Sequence, residues 1–257
     1  MKEKIKEGAD VNAKIKIDGV ATYPVIVFSD FRNIGDFEIV SGDEQDFASP
    51  AFNGKRLAAT GADQKAANRF AVFWELLKAG ADTSVCSPEG LSVFNLISVT
   101  FRPSGSLDDD GKDYKDAENL EKWTLLLNLL KQEGVKFGAA GQNEIGAFIF
   151  GANVARRQKS RPYTLSPKVQ LAVVRFLKEN GVDINASLKD RLPVLMIAVS
   201  LNPNMELLQG LVDLGADLLA KDHEGKALPD YIPDYPEGSG YYKACEWLRK
   251  QYNDKAD

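Results

Sequence analysis

Several ingredients of familiar chemistry are scarce in this chain. Its 257 residues contain two cysteines, Cys86 and Cys245, and one histidine, His223. Two cysteines 159 positions apart cannot form a disulfide scaffold, and nothing around them has metal-ligand spacing. They read as reduced, structural residues. Such usage fits a cytoplasmic protein without demanding one, and a secreted or periplasmic chain trimmed of its leader would look the same. Basic residues are not in excess. The net charge is −5, so a nucleic acid is not the expected main partner. No apolar run approaches the roughly 18 residues of a membrane span, so no membrane partner is expected either.

Active-site motifs are equally thin. A hydrolase nucleophile elbow of the Gly-x-Ser-x-Gly kind is missing, and Gly238-Ser239-Gly240 reads as a short loop. Gly134-Val135-Lys136-Phe137-Gly138 lacks the spacing and Lys-Ser/Thr ending of a phosphate-binding loop. The acidic stretch 108–113 can be laid on a calcium loop with Ser106, Asp108 and Asp110 at positions 1, 3 and 5 and Gly111 at 6. Position 12 is then Ala117, which cannot ligate, so the stretch reads as a solvated loop. His223, between Asp222 and Glu224, has no second histidine or cysteine near it in sequence and reads as a surface loop residue. Catalytic residues, cofactors and metals are therefore not expected. The basic run 156–161 decorates a loop or touches an acidic partner.

What is abundant is a repeated junction. A helical stretch ends in a glycine followed by a small or apolar residue and, in four of five cases, an aspartate. It occurs as Gly8-Ala9-Asp10-Val11-Asn12-Ala13, Gly80-Ala81-Asp82-Thr83-Ser84, Gly134-Val135-Lys136-Phe137, Gly181-Val182-Asp183-Ile184-Asn185-Ala186 and Gly215-Ala216-Asp217-Leu218-Leu219-Ala220. Glycine is the residue that ends a helix in the left-handed conformation without a steric penalty. The stretches before the glycines carry a period near 3.6: Phe70, Phe73, Trp74 and Leu77 share a face, as do Leu120, Trp123, Leu127 and Leu130. Val169, Ala172, Val173, Phe176 and Leu177 form a third such face, and Leu208, Leu211 and Val212 a fourth. About ten polar or small residues after each glycine, a second apolar segment follows, as in Val93–Ile97 and Val194–Ala198.

This pattern resembles the ankyrin repeat, whose period is about 33 residues. The resemblance runs from Lys6 to about Asn253. It implies an all-α, ankyrin-type solenoid of about five helix pairs with long insertions between inner and outer helices. The chain would be a single domain over 1–257, with repeat units about 8–79, 80–133, 134–180, 181–214 and 215–253. The family's Thr-Pro-Leu-His opening is poorly kept: Ser92-Val93-Phe94-Asn95 stands there once and Pro193-Val194-Leu195-Met196 once. The family's histidine is never present, so its hydrogen bonds need substitutes. The glycines are 72, 54, 47 and 34 residues apart. The surplus over the family period falls at about 29–65, 102–116 and 157–166. Gly61-Ala62-Asp63 mimics a junction, but only 19 residues separate it from Gly80, so it reads as loop before an outer helix beginning near Lys65. A cryptic extra repeat near 35–60 is the alternative. Phe31, Phe37, Phe47 and Phe52 in the first insertion form either a satellite core or anchors for a partner.

The ends read as caps. Tyr241–Tyr252 closes the array, with Tyr241, Ala244, Cys245 and Leu248 inward and Lys243, Glu246, Arg249 and Lys250 to water. Residues 1–7 supply only the last turns of a helix, either as a cap or as the remnant of a longer one. The resemblance implies a non-catalytic module, expected as a monomer, that binds another protein through hairpin tips, inner helices and the inserted rim. An enzyme or metal-binding protein with its site in the insertions is the alternative. The tips fall near Ile15–Asp18, Cys86–Glu89, 140–143, 188–191 and Asp222–Glu224. The implied contact residues are Lys16, Asp18, Ser87, Glu89, Gln142, Lys189, Arg191, Asp222, His223 and Glu224.

Overall fold

The computed structural model describes residues 2–29, 31, 36–41, 49–60, 64–101, 116–138, 143–154, 165–186 and 192–256. The expectations placed on 102–115, including the calcium-loop alignment, lie outside the described residues, as do Gly61-Ala62-Asp63, Phe47 and the basic run 156–161.

The chain is mostly helical. Among the described residues the helices are α1 (Lys2–Lys6), α2 (Pro24–Phe28), α3 (Gln64–Lys78), α4 (Val93–Thr100), α5 (Asp116–Gln132), α6 (Glu144–Val154), α7 (Pro167–Glu179), α8 (Val194–Leu201), α9 (Met205–Asp213) and α10 (Gly240–Ala256), with a 3-10 helix at Leu228–Tyr231. The all-α expectation needs correction, because two antiparallel hairpins are present as well. They are β1 (Ile15–Ile17) with β2 (Val20–Thr22), and β3 (Asp36–Ser41) with β4 (Lys55–Thr60). The second of these occupies the stretch where a cryptic repeat was the alternative. The segments DFEIVS and KRLAAT pair as a ribbon that buries Phe37 and Leu57 on one face and Ala58 on the other.

Two compact units partition the chain: Met1–Gly105 with Ala117–Ala139, and Ser106–Asp116 with Ala140–Asp257. In the first unit α2 packs on α3 and on α4, and α1 packs on α3. The surplus residues between α2 and α3 carry β3 and β4, and Phe31 and Phe37 there join neither a satellite core nor an exposed patch. Phe31 sits edge-on to Phe70 and Phe73, at centroid distances of 5.2 and 5.3 Å. Phe37 lies 4.6 Å from Phe101, which in turn lies 4.8 Å from Trp123 of α5. The insertion is thus welded into the same aromatic core as the helices. Tilted and edge-on ring pairs of this kind contribute about 0.5–1.5 kcal/mol each beyond their burial.

In the second unit α6 packs on α7 and α8, α8 on α9 and the 3-10 helix, and α9 on α7 and α10. Helix α8 is buried along Val194–Val199, as its unbroken apolar sequence VLMIAVSL requires. Two glycines here are set by close approach. A Cβ on Gly146 would lie 2.2 Å from Asn143 Oδ1, the atom that caps α6 by accepting from Gly146 N at 2.7 Å. A Cβ on Gly210 in α9 would lie 2.4 Å from Leu171 in α7. A buried amide trio ties α6, α7 and the end of α8. Asn153 Nδ2 donates to Gln170 Oε1 at 2.8 Å, and Asn202 Nδ2 donates to Asn153 Oδ1 at 3.0 Å. Gln170 Nε2 donates to Leu165 O at 2.6 Å. In α10, Ala244, Cys245 and Leu248 are buried and Tyr241 half-buried. Arg249 departs from its expected place in water: it binds Asp234 and Glu246, each at 2.7 Å, and is held over the segment before the helix. No disulfide joins Cys86 and Cys245, and burial pushes the Cys245 thiol above its ordinary pKa.

Candidate interaction surface

The five junction glycines end their helices in one geometry. Gly8, Gly80, Gly134, Gly181 and Gly215 all take positive φ, between 79° and 92°. Each donates its N–H three residues back, and the following residue donates five residues back. Examples are Gly80 N to Leu77 O at 2.9 Å and Ala81 N to Leu76 O at 3.0 Å. This is the Schellman arrangement, which satisfies carbonyls that the helix end leaves orphaned. The aspartate two positions on then folds the backbone into a tight Asx turn: Asp10, Asp82, Asp183 and Asp217 each accept the N–H of the residue two ahead at 2.9 Å.

Side chains then tie one junction to the next. Asn12 Oδ1 accepts from Asp82 N at 2.6 Å while its Nδ2 donates to Gly80 O at 3.4 Å. Asn185 does the same one junction before Gly215, accepting from Asp217 N at 2.8 Å and donating to Gly215 O at 3.0 Å. Thr83 makes the equivalent pair of bonds, from Lys136 N at 3.0 Å and to Gly134 O at 3.4 Å. Every tie thus grips a junction glycine's carbonyl and the N–H two residues later. Sequence reasoning passed over these three residues, although Asn12 and Asn185 stand four positions after their glycines in matching motifs.

The junctions lead into turn tips. In the first, β1 and β2 are joined by Asp18 and Gly19, both at positive φ (48° and 83°), the two-residue hairpin turn whose twist suits the strands. In the second, Cys86 bridges Ser92 and the turn Ser87–Gly90 closes with Gly90 N to Ser87 O at 2.9 Å. Ser87 is buried and its Oγ accepts from Leu91 N at 3.1 Å. Its hydroxyl also holds the Glu89 carboxyl below the ordinary carboxylate range. In the last, Lys221 bridges Ala227 and Asp222 organises the turn. Asp222 Oδ1 accepts from Glu224 N and Lys226 N, both at 2.8 Å, and Oδ2 accepts from the Tyr231 hydroxyl. That hydroxyl, foremost, lowers the Asp222 pKa, and the same bond raises that of Tyr231.

The implied contact residues therefore divide. Ser87 and Asp222 are engaged inside their turns. Lys16, Asp18, Glu89, His223 and Glu224 present exposed side chains, His223 lying 3.9 Å from Glu224. The structure brings Ser87 together with Glu89, and Asp222 with His223 and Glu224, each set within one turn. Gln142, Lys189 and Arg191 lie outside the described residues. Of the helices that follow the turns, α4 is capped by Ser92, whose Oγ accepts from Asn95 N, and α6 by Asn143, whereas α2 and α8 start at Tyr23 and Pro193 without a side-chain cap. Asn95, at the family's histidine position, is buried with neither side-chain amide atom hydrogen-bonded, so it does not replace the histidine's bonds. Among the described residues, no group of three or more His, Cys, Asp or Glu could hold a metal ion, and no helix is long and apolar enough to cross a membrane.

No family model matches this chain, and no curated protein matches it. A comparison with solved structures finds the human ASB11 ankyrin repeat domain, 14% identical over 96% of this chain and 90% of that one, with a TM-score of 0.37.

Proposed function

We propose that this chain is a divergent ankyrin-like repeat protein whose work is to bind another protein through its turn tips. The observation that carries this reading is the repeated junction. Five helix ends share one glycine-capped geometry, and three side chains tie successive junctions through the same two backbone groups. A repeat scaffold of this kind fixes its turns while leaving their outward side chains exposed. Lys16, Asp18 and His223 are such side chains, while Glu89 is exposed but held by the Ser87 hydroxyl and Glu224 is exposed but paired with Lys226 at 2.5 Å, and the turns that carry Glu89 and Glu224 are closed by hydrogen bonds. A preorganised surface loses little entropy on binding.

On this reading the repeat units are 8–79, 80–133, 134–180, 181–214 and 215–253 of one array over 1–257, and the protein is a monomer. Gln142, Lys189 and Arg191 belong to the same surface. The chain carries out no chemistry of its own. The test is charge reversal at the exposed tips, in Lys16→Glu, Glu89→Lys and Glu224→Lys, followed by affinity capture from lysate of the native organism. One defined partner lost from the tip variants, and retained by Lys243→Glu, supports the reading. Turnover of generic hydrolase substrates by the purified chain overturns it in favour of an enzyme.

A further inference from the structure

The first turn tip differs from the other described tips in being a true hairpin with exposed apolar residues. Ile17 and Val20 pair across the strands and are 45% and 51% exposed. In a two-residue hairpin this closing pair bonds inward, so the N–H and C=O of the next position point outward. On the β1 side that position is Lys16. Among the described residues its backbone makes no hydrogen bond outside the ribbon. The side chains alternate as well. Within β1, Lys16 lies on one face and Ile15 and Ile17 on the other, and Lys14 immediately precedes the strand. Lys14 is held 5.4 Å over the Tyr23 ring, and neither lysine has an ion-pair partner among the described residues. Lys14, Lys16 and Asp18 give the segment a net charge of +1 in a chain of −5.

We propose that the β1 edge accepts an extended segment of a partner protein as a third strand, with carboxylates opposite Lys14 and Lys16 and apolar side chains beside Ile15 and Ile17. This names the mode of binding at one tip and rests on the interaction reading above. A two-stranded ribbon is marginal in water, and an open edge with exposed apolar side chains gains both hydrogen bonds and burial from a third strand. The lysines decide the occupant. A second copy pairing edge to edge would set Lys14 and Lys16 against their own counterparts, whereas an acidic strand is attracted.

The probe is a synthetic heptapeptide alternating glutamate and valine, titrated into the 15N-labelled full chain. Amide shifts confined to 14–22, with slowed exchange at the Lys16 amide, are the expected result. Lys16→Glu should weaken binding about tenfold, the equivalent of 1.4 kcal/mol. N-methylation of alternate peptide amides should abolish it. No response at 14–22, or an equal response to a lysine–valine peptide, overturns strand addition. Partner capture that survives at the other tips in that case leaves the broader reading standing. Capture unchanged in every tip variant, with the peptide still bound at 14–22, overturns the broader reading alone.

Discussion

Asn12, Thr83 and Asn185 each satisfy two backbone groups of a neighbouring turn, and that double grip sets their worth. Truncating Asn185 to alanine leaves the Asp217 N–H and the Gly215 carbonyl without their partner. Both groups are partly open to water, so the expected cost is about 1–2 kcal/mol, read as a lower urea midpoint with unchanged slope. Asn95 predicts the opposite sign. Its buried amide has no hydrogen-bond partner. Asn95→Met, the residue found at the corresponding Met196, should raise the unfolding free energy by about 1 kcal/mol in the same assay. The last tip predicts a pH dependence. The folded Asp222 carboxyl titrates below its unfolded value, so its contribution is complete above the ordinary carboxylate range and fades as pH falls through and below about 4. Amide exchange at Glu224 and Lys226 should accelerate there, and Asp222→Asn should remove most of that dependence.

At the scale of elements, the glycine-ended helices were legible because two physical signals coincide: an apolar period near 3.6 and a residue suited to positive φ at its end. The expected face of α3 holds, with Phe70, Phe73, Trp74 and Leu77 buried; on α9 Leu208 and Leu211 are buried but Val212 is only half-buried. Helix α5 buries Trp123, Leu127 and Leu130 of its expected face but leaves Leu120 half-buried, and covers Leu125, Leu126 and Leu129 as well, because periodicity marks a stripe and not the number of neighbours. The β3–β4 hairpin was not legible. Its alternation is short, and what stabilises it is Phe37 against Phe70 and Phe101, a long-range contact that no local pattern encodes. The proposed contact side chains were legible only as turn positions. Which of them turn inward depends on partners such as Tyr231, nine residues from Asp222. Helix α6 supplies a sharper prediction. Gly146→Ala should cost about 2–3 kcal/mol, more than an ordinary alanine gain in helix propensity can offset, because the added Cβ displaces the Asn143 cap. If calorimetry finds the variant equal to or above wild type, that account of the cap is wrong.

For the whole molecule, the account joins a scaffold to a surface. Shared helix-end geometry and paired backbone ties describe how the turns are held, and exposed charge at their tips describes what they offer. Binding would then be sensitive to tip charge and insensitive to charge elsewhere on the surface. The most direct measurement is the dissociation constant of the captured partner for wild type, for the combined variant Lys16→Glu, Glu89→Lys and Glu224→Lys, and for Lys243→Glu with Lys250→Glu on α10. Circular dichroism should verify that all three are folded. The account predicts at least a hundredfold loss, about 2.7 kcal/mol, for the tip variant and less than a threefold change for the α10 variant. Equal affinity across the three proteins would contradict it.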